Sequence, residues 1–433
     1  MATYVYGSEP PTYELSLSQA LQKARHKSDL LKSARASSAA AQERADATYT
    51  TLLPRLTLDG NLKYVSEVPS ISVAPNAPSV PFGSHLNYSI GPTLSYTLWD
   101  GGGFRDNYKS NSKMLDSRKE DERSKNSQVD ASVKLAYVHA QLGLEQVRVY
   151  ADSVKLSQKQ AKDIRIRKEQ GSASELDMLS AVKDLRTYEL GYKQKQAELA
   201  ATLYDLTALV EENLRLNLTE PAPQGFENAG LWLVLDPLDQ TVKTESLTEP
   251  ELMNEAPPQI KSQLLLSESL DLQAKAQKAA YHPRIDVSAR TSLDYPDGPV
   301  LKRINQNTLS VNLTMPLYEF SKVDHLVAQK NFEAESAKYL AQQMESDARR
   351  DFSKAKENLR SLRKQDLDAQ ELVKQSEKLA QLNYDAYRYG RLKFTDVQAA
   401  NLRLQEAKLN LAQIHAQILM QVIVLQTLVV KEA

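Results

Sequence analysis

The chain contains itself twice at one fixed spacing, and that spacing limits its fold more than any other feature. Leu98-Trp99-Asp100 recurs as Leu317-Tyr318-Glu319, 219 residues further on. Gly171-Ser-Ala-Ser-Glu-Leu-Asp177 recurs as Gly390-Arg-Leu-Lys-Phe-Thr-Asp396, again 219 residues on. The stretch between the two markers therefore has no net insertion or deletion in either copy. Loops drift in length, whereas long packed helices must hold register with their neighbours. Equal lengths between landmarks point to a ruler-like structure rather than a pocket.

A second periodicity interrupts the helical one at four places. Leu86, Tyr88, Ile90, Pro92, Leu94, Tyr96 and Leu98 alternate with polar or small residues, and so do Leu309, Val311, Leu313, Met315 and Leu317. Leu56, Leu58, Leu62 and Tyr64 face away from Thr57, Asp59, Asn61 and Lys63. Ile285, Val287, Ala289, Leu293 and Tyr295 face away from Asp286, Ser288, Arg290, Ser292 and Asp294. Period two predicts strands with one apolar and one polar face. One such strand would be read as part of an antiparallel sheet on a core. Four of them, each about 30 Å long at 3.3 Å per residue, suit tilted membrane spans, and their charged faces suit a watery lumen. Four strands cannot close a barrel, and an open edge is forbidden in lipid, so a membrane reading requires several chains to share one barrel. Three chains would supply twelve strands.

The helices carry two apolar seams. Val397, Leu404, Leu411, Ile418 and Leu425 share one heptad position, with Ala400, Ala407, Ile414, Gln421 and Leu428 three residues on. A further row, Leu402, Leu409, Ala416, Ile423 and Val430, lies about 140° around the helix. Met178, Ala181, Leu185, Tyr188, Tyr192, Leu199, Leu206 and Leu209 repeat the main seam in the first copy. Two stripes fit a helix in a wall or cylinder, and equally a buried helix in a globular bundle. From Phe104 to Gln170 and from Phe320 to Tyr389 no proline interrupts, and each stretch could extend about 100 Å as a helix.

The predicted organisation follows. Residues 1–218 form a first repeat: a helix, strands 55–65 and 86–99, a long helix 103–170 and a helix 172–216. Residues 219–258, rich in proline, join the copies. Residues 259–433 form the second repeat: a helix, strands 284–295 and 306–318, a long helix 320–389 and a helix 391–430. The fold class is mostly α with membrane β.

Composition removes most other chemistries. Lys+Arg 54 against Asp+Glu 55 give no net field toward nucleic acid, and no cysteine is present for disulfides or thiolate metal sites. No run of about 18 apolar residues is found, so no membrane-crossing helix is expected; Ile414 to Val430 is broken by His415, Gln417, Gln421 and Gln426. Met1-Ala2-Thr3 is not followed by a charged-then-apolar signal, so the protein is either cytosolic or has lost its export signal. The six histidines lack metal-ligand spacing and no phosphate-binding lysine loop occurs. Gly101-Gly-Gly103 follows a strand, but the second copy has no glycine at the matching turn, which reads Glu319-Phe-Ser321, and this suits a tight turn rather than a phosphate cradle. Neither an enzyme, a metal nor a cofactor is expected.

In this order of elements the chain resembles the TolC-like outer-membrane efflux duct family. Further cues are Leu52-Leu53-Pro54-Arg55-Leu56, matched by Tyr281-His-Pro-Arg-Ile285, and Leu98-Trp-Asp-Gly-Gly-Gly103 closing a strand. The resemblance implies a homotrimer whose shared twelve-stranded barrel lies in the outer membrane of a Gram-negative bacterium, above a coiled-coil helical tunnel crossing the periplasm. It implies a passive exit duct of a tripartite efflux or type I secretion system. The duct would dock to a periplasmic adaptor (membrane fusion) protein and, through it, to an inner-membrane pump. It places Asp177 and Asp396 beside the closed periplasmic aperture, with Tyr387 keeping the family tyrosine. The family's basic position is Leu392 here, so Arg391 or Lys393 would have to serve. Ala399 replaces a second acid, leaving one ring of Asp396 carboxylates. Gly171 and Gly390 match positions near the adaptor-docking tip. Helix capping alone would also account for the aspartates, and helix termination for the glycines. The rival reading is a soluble coiled-coil scaffold without channel activity.

Overall fold

The computed structural model describes residues 13–72, 78–210, 233–245 and 255–429. In chain order these form β1 (Tyr13–Leu15), α1 (Leu17–Lys27), α2 (Asp29–Thr50), β2 (Arg55–Tyr64), β3 (Ser70–Ile71), β4 (Val80–Pro81), β5 (Leu86–Trp99), α3 (Gly103–Glu169) and α4 (Glu175–Val210). Then come β6 (Leu233–Leu235), α5 (Leu238–Glu245), α6 (Pro258–Lys278), β7 (Arg284–Tyr295), β8 (Ile304–Thr314), α7 (Lys322–Arg388) and α8 (Phe394–Leu428). The two long helices α3 and α7 have 67 residues each, and their first and last residues are each 219 apart. The ruler inferred from the sequence is this pair. Two compact units emerge, one of Arg35–Asp121 and Gln259–Gln343, the other of Met1–Ala34, Glu122–Pro258 and Met344–Ala433.

The first unit holds an antiparallel sheet in the order β2-β5-β7-β8. Proline fixes where its hairpins begin: Pro54 precedes β2 and Pro283 precedes β7. Register sorts the faces. Leu56, Leu94, Ala289 and Leu309 pair in one row across all four strands, and Thr57, Thr93, Arg290 and Thr308 pair in the next. A slip of one residue would mix the two faces, so the pattern itself pins the pairing. β8 stops at Thr314 rather than near residue 318, because Thr314 faces Arg284, the first residue of its partner, and Pro316 has no N–H to extend the ladder. The copies meet along β5 and β7. Gly91 is needed there, since a Cβ would overlap the Thr291 carbonyl oxygen, and pairing lapses between Ile90 and Thr93, beside Pro92.

Serine hydroxyls join the helices of this unit. Ser110 on α3 and Ser269 on α6, both fully buried, each donate to the other's carbonyl at 2.8 and 2.9 Å. Ser117 donates to the Ser262 carbonyl at 2.8 Å, and Ser267 to Ala334 on α7 at 2.8 Å. Their small side chains let the backbones approach while every hydroxyl stays satisfied.

In the second unit β1 and β6 form a short parallel ladder that the sequence did not announce, since three residues show no period. β6 and α5 repeat the strand-helix order of β1 and α1, inside the segment read as joining the copies; most of that segment, like Val430 of the outer seam, lies outside the described residues. Tyr137 of α3, wholly buried, accepts from the Asp236 N–H at 2.9 Å, and its hydroxyl lies 2.9 Å from the Leu15 carbonyl. Around it pack Ala20, Val133, Leu199, Leu203 and Leu206. The α8 heptad holds, with Val397, Ile418 and Leu425 buried, whereas Leu402 of the outer row stays half exposed. α8 is the most apolar helix, although no unbroken apolar run of about 18 residues occurs in it. α8 contains an 18-residue window of mean hydropathy 1.4, apolar enough by length and composition to cross a membrane. The glutamines do not offset the lack of any Asp, Glu, Lys or Arg between Lys408 and Lys431. Its apolar residues instead pack on Phe352 and Leu359 of α7 and on Leu238 of α5.

Candidate functional site

Two features carry chemistry: the sheet faces and the turns that join the paired helices. On the apolar face of the sheet the side chains are bare. Leu58 is 72% and Leu309 76% exposed, and Leu56, Leu62, Val311 and Leu313 are similar. The polar face is cross-linked instead. Thr97 donates to Asp286 at 2.6 Å, Ser89 to Asp294 at 2.6 Å, and Arg290 to Ser89 at 2.9 Å. Arg284 reaches Asp286 at 3.0 Å. A sheet in water would be built the other way round, with its apolar face covered. This arrangement suits lipid on one side and water on the other.

At the far end of the long helices, two turns reverse the chain. Gly171 and Gly390 have φ of 73° and 69°, a left-handed conformation that glycine adopts without steric cost. The N–H groups of Gly171 and Ser172 donate to the Lys168 and Arg167 carbonyls, and those of Gly390 and Arg391 to Tyr387 and Ala386. Both helices thus end in the same glycine cap with two backbone bonds. Each following helix is closed by its aspartate. Ser174 and Asp177 cap one another reciprocally, at 3.0 and 3.3 Å. The Asp396 carboxylate accepts from the Lys393 N–H at 3.2 Å; lysine has no acceptor side chain to return the bond. Among the described residues neither carboxylate is hydrogen-bonded to Tyr387 or to the Arg391 or Lys393 side chains. Arg391 lies over the Tyr389 ring at 6.0 Å.

Other residues tie the hairpin of α3 and α4 to that of α7 and α8. Tyr384 donates to the Asp163 carboxylate at 2.8 Å, which also pairs with Arg167 at 3.2 Å. Arg167 in turn donates to the Arg388 carbonyl at 3.0 Å. Deeper in, Gln398 bonds Asp184, and Asn401 bonds the buried Gln160 at 2.9 Å. Ile164, Ala181, Tyr387, Phe394 and Val397 fill the space between. Burial, helped by the Asp163 carboxylate, pushes the Tyr384 hydroxyl well above the usual tyrosine range. Burial and then the Asp177 charge raise Tyr387. The sequence offered one signal for this network. Asp163 and Arg167 share a helix face at i, i+4, yet their counterparts 219 residues on are Leu382 and Ala386, so the copies differ where they meet.

The profile of the outer membrane efflux protein family matches residues 20–210 and 251–429. The chain belongs to that family. Its fold is similar to that of CusC, whose structures describe transmembrane channel formation, at 16% identity and a TM-score of 0.75 over 95% of this chain and 91% of that one. It is also similar to the CmeC outer membrane channel of Campylobacter jejuni (16% identity, TM-score 0.74, 95% and 84% covered). The outer membrane protein VceC from Vibrio cholerae matches at 14% identity and a TM-score of 0.72, with 94% of each chain covered. No curated protein sequence matches the chain. The family is one of efflux channels rather than enzymes, and the soluble-scaffold reading falls with the membership.

Proposed function

We propose that three copies of this chain form a passive outer-membrane exit duct, fed by a periplasmic adaptor and an inner-membrane pump. The observation that carries the reading is the bare apolar face of the β2-β5-β7-β8 sheet beside its hydrogen-bonded polar face. Its outer strands, β2 and β8, run antiparallel to each other across the sheet, so β8 of one copy can pair with β2 of the next in the antiparallel sense, and the ring closes. Closure removes the edges that lipid forbids.

The helical turns are the proposed gate. Three Asp396 carboxylates around one axis would repel each other and favour cations. Asp177 and Tyr387 sit where the hairpins meet, Arg391 and Lys393 supply positive charge, and the Asp163–Tyr384–Arg167 network holds one hairpin to the other. Apart from their own chain neighbours, nothing lies within 4 Å of where a side chain would begin at Gly171 and Gly390, which leaves both turns open to an adaptor tip.

Single-channel recording in a planar bilayer tests this. The unaltered protein should give rare, cation-preferring openings. Asp163→Asn with Tyr384→Phe removes interactions worth about 1.5–3 kcal/mol for a hydrogen bond to a charged group, so opening should become at least about tenfold more frequent. Asp396→Ala should reduce cation preference without that rise. Openings indifferent to all three substitutions would keep the duct and discard this gate. A protein that never enters the bilayer would sink the whole reading.

A further inference from the structure

Beside the bonds that tie the two hairpins, α8 buries two amide side chains four residues apart. Asn401 is 9% and Gln405 7% exposed, and the i, i+4 spacing sets them on one face of the helix. The Asn401 Nδ2 group donates to Gln160 at 2.9 Å. Among the described residues its Oδ1 atom accepts from no group, and the Gln405 Nε2 group donates to none. Buried polar atoms are costly unless hydrogen-bonded, so these two call for an occupant. Both side chains line one cavity of about 70 Å³ between α3, α4 and α8, together with Ser153, the buried Ser157 and Tyr188. Asp152, in the same wall, is exposed and gives water a way in. The residues 219 positions before Asn401 and Gln405 are Val182 and Arg186, so the duplication does not account for the pair.

We propose that this cavity is a hydration site, in which a water accepts from Gln405 Nε2, donates to Asn401 Oδ1 and so holds α8 to α3 and α4. The chemistry of the wall selects the occupant. A donor and an acceptor left over side by side match a molecule that accepts and donates at once. At about 30 Å³ of liquid volume per water the cavity holds about two, far less than an organic solute of drug size needs. Cavities that stay empty are apolar, whereas this one is polar on both sides. No group of three or more histidine or acidic side chains that could hold a metal ion occurs among the described residues, which argues against a cation. The serine and tyrosine hydroxyls of α3 and α4 supply the third bond that a buried water usually makes. Gln398, Asn401 and Gln405 then form one polar stripe, bonded directly to Asp184 and Gln160 and through water beyond them. A water bridge is enthalpically close to a direct bond, so the stripe extends the contact between the hairpins. Its link to opening rests on the gate reading above; the hydration itself does not.

A crystal structure of the detergent-extracted protein and the melting of one variant test the site. Density for a water within hydrogen-bonding distance of both amides is expected. Gln405→Met keeps the length of the side chain and removes its amide. In a hydrated cavity it deletes a satisfied hydrogen bond, so the melting temperature in detergent should fall. In a dry cavity it deletes an orphaned donor, and the melting temperature would rise. A rise, or a cavity without solvent density, would overturn the proposal. Single-channel recording of Gln405→Met supplies the link to opening. Openings should become about two- to tenfold more frequent, the factor that a hydrogen bond of ordinary net strength carries. If Asp163→Asn with Tyr384→Phe raised the frequency and Gln405→Met did not, the water would have no part in holding the hairpins and the proposal would fall. If neither raised it, the gate reading would fall instead, and density and melting would decide the hydration site by themselves.

Discussion

Tyr188 and Tyr384 show how local burial becomes a pH dependence. Burial, followed by the Asp184 and Tyr150 charges, pushes Tyr188 up to about 12. Burial and the Asp163 carboxylate raise Tyr384 as well. Both folded values lie above the unfolded one, near 10. The neutral forms are therefore favoured by folding; stability is fully present below pH 10 and is lost as pH rises through the folded values. Denaturant midpoints should stay level up to about pH 10 and then fall. Tyr384→Phe should start lower and fall less steeply; an equal slope would remove Tyr384 from the account. The caps at Asp177 were legible, since serine three residues before an acid at a helix start is a local signal. The Asp163–Tyr384 bond was not, because it needs two helix faces 221 residues apart to meet.

Among the elements, the serine contact between α3 and α6 makes a sharp case. Ser110→Ala leaves the buried Ser269 hydroxyl with one bond fewer and should cost about 1–3 kcal/mol. Ser269→Ala should cost the same. The double substitution removes both partners, so its effect should fall well below the sum of the singles. Urea unfolding in detergent measures all three, and strict additivity would show that the hydroxyls do not act as a pair. The four long strands were readable because period two persists over ten or more residues. β1 and β6 were not, because a three-residue strand is defined by its partner alone. The end of β8 was misplaced because Met315 and Leu317 keep the alternation after the partner strand has run out. They are apolar without being strand.

For the whole molecule, closure of the barrel makes its own prediction. The chain has no cysteine, so introduced pairs report without background. Leu58→Cys in β2, combined in turn with single cysteines along residues 307–313 of β8, should yield oxidised species of three chains, at one or two neighbouring positions only. Cross-linked dimers with no trimer, or cross-linking at every position, would contradict an ordered ring of three. Electrophoresis before and after reduction decides the matter.

The sequence by itself determined the duplication, the equal long helices and the two-faced strands. Each of these is a periodicity, and periodicity is a property of the chain that survives without its partners. It determined the family for the same reason, since the order and spacing of those periods span nearly the whole chain. Tertiary structure decided which face of one copy meets which face of the other. It joined β5 to β7 at Gly91, placed the inter-hairpin bonds at Asp163 rather than Asp177, and buried the most apolar helix against α7. The first two join segments about two hundred residues apart and the third joins consecutive helices; all are set by shape and hydrogen-bond geometry, and no local pattern encodes them.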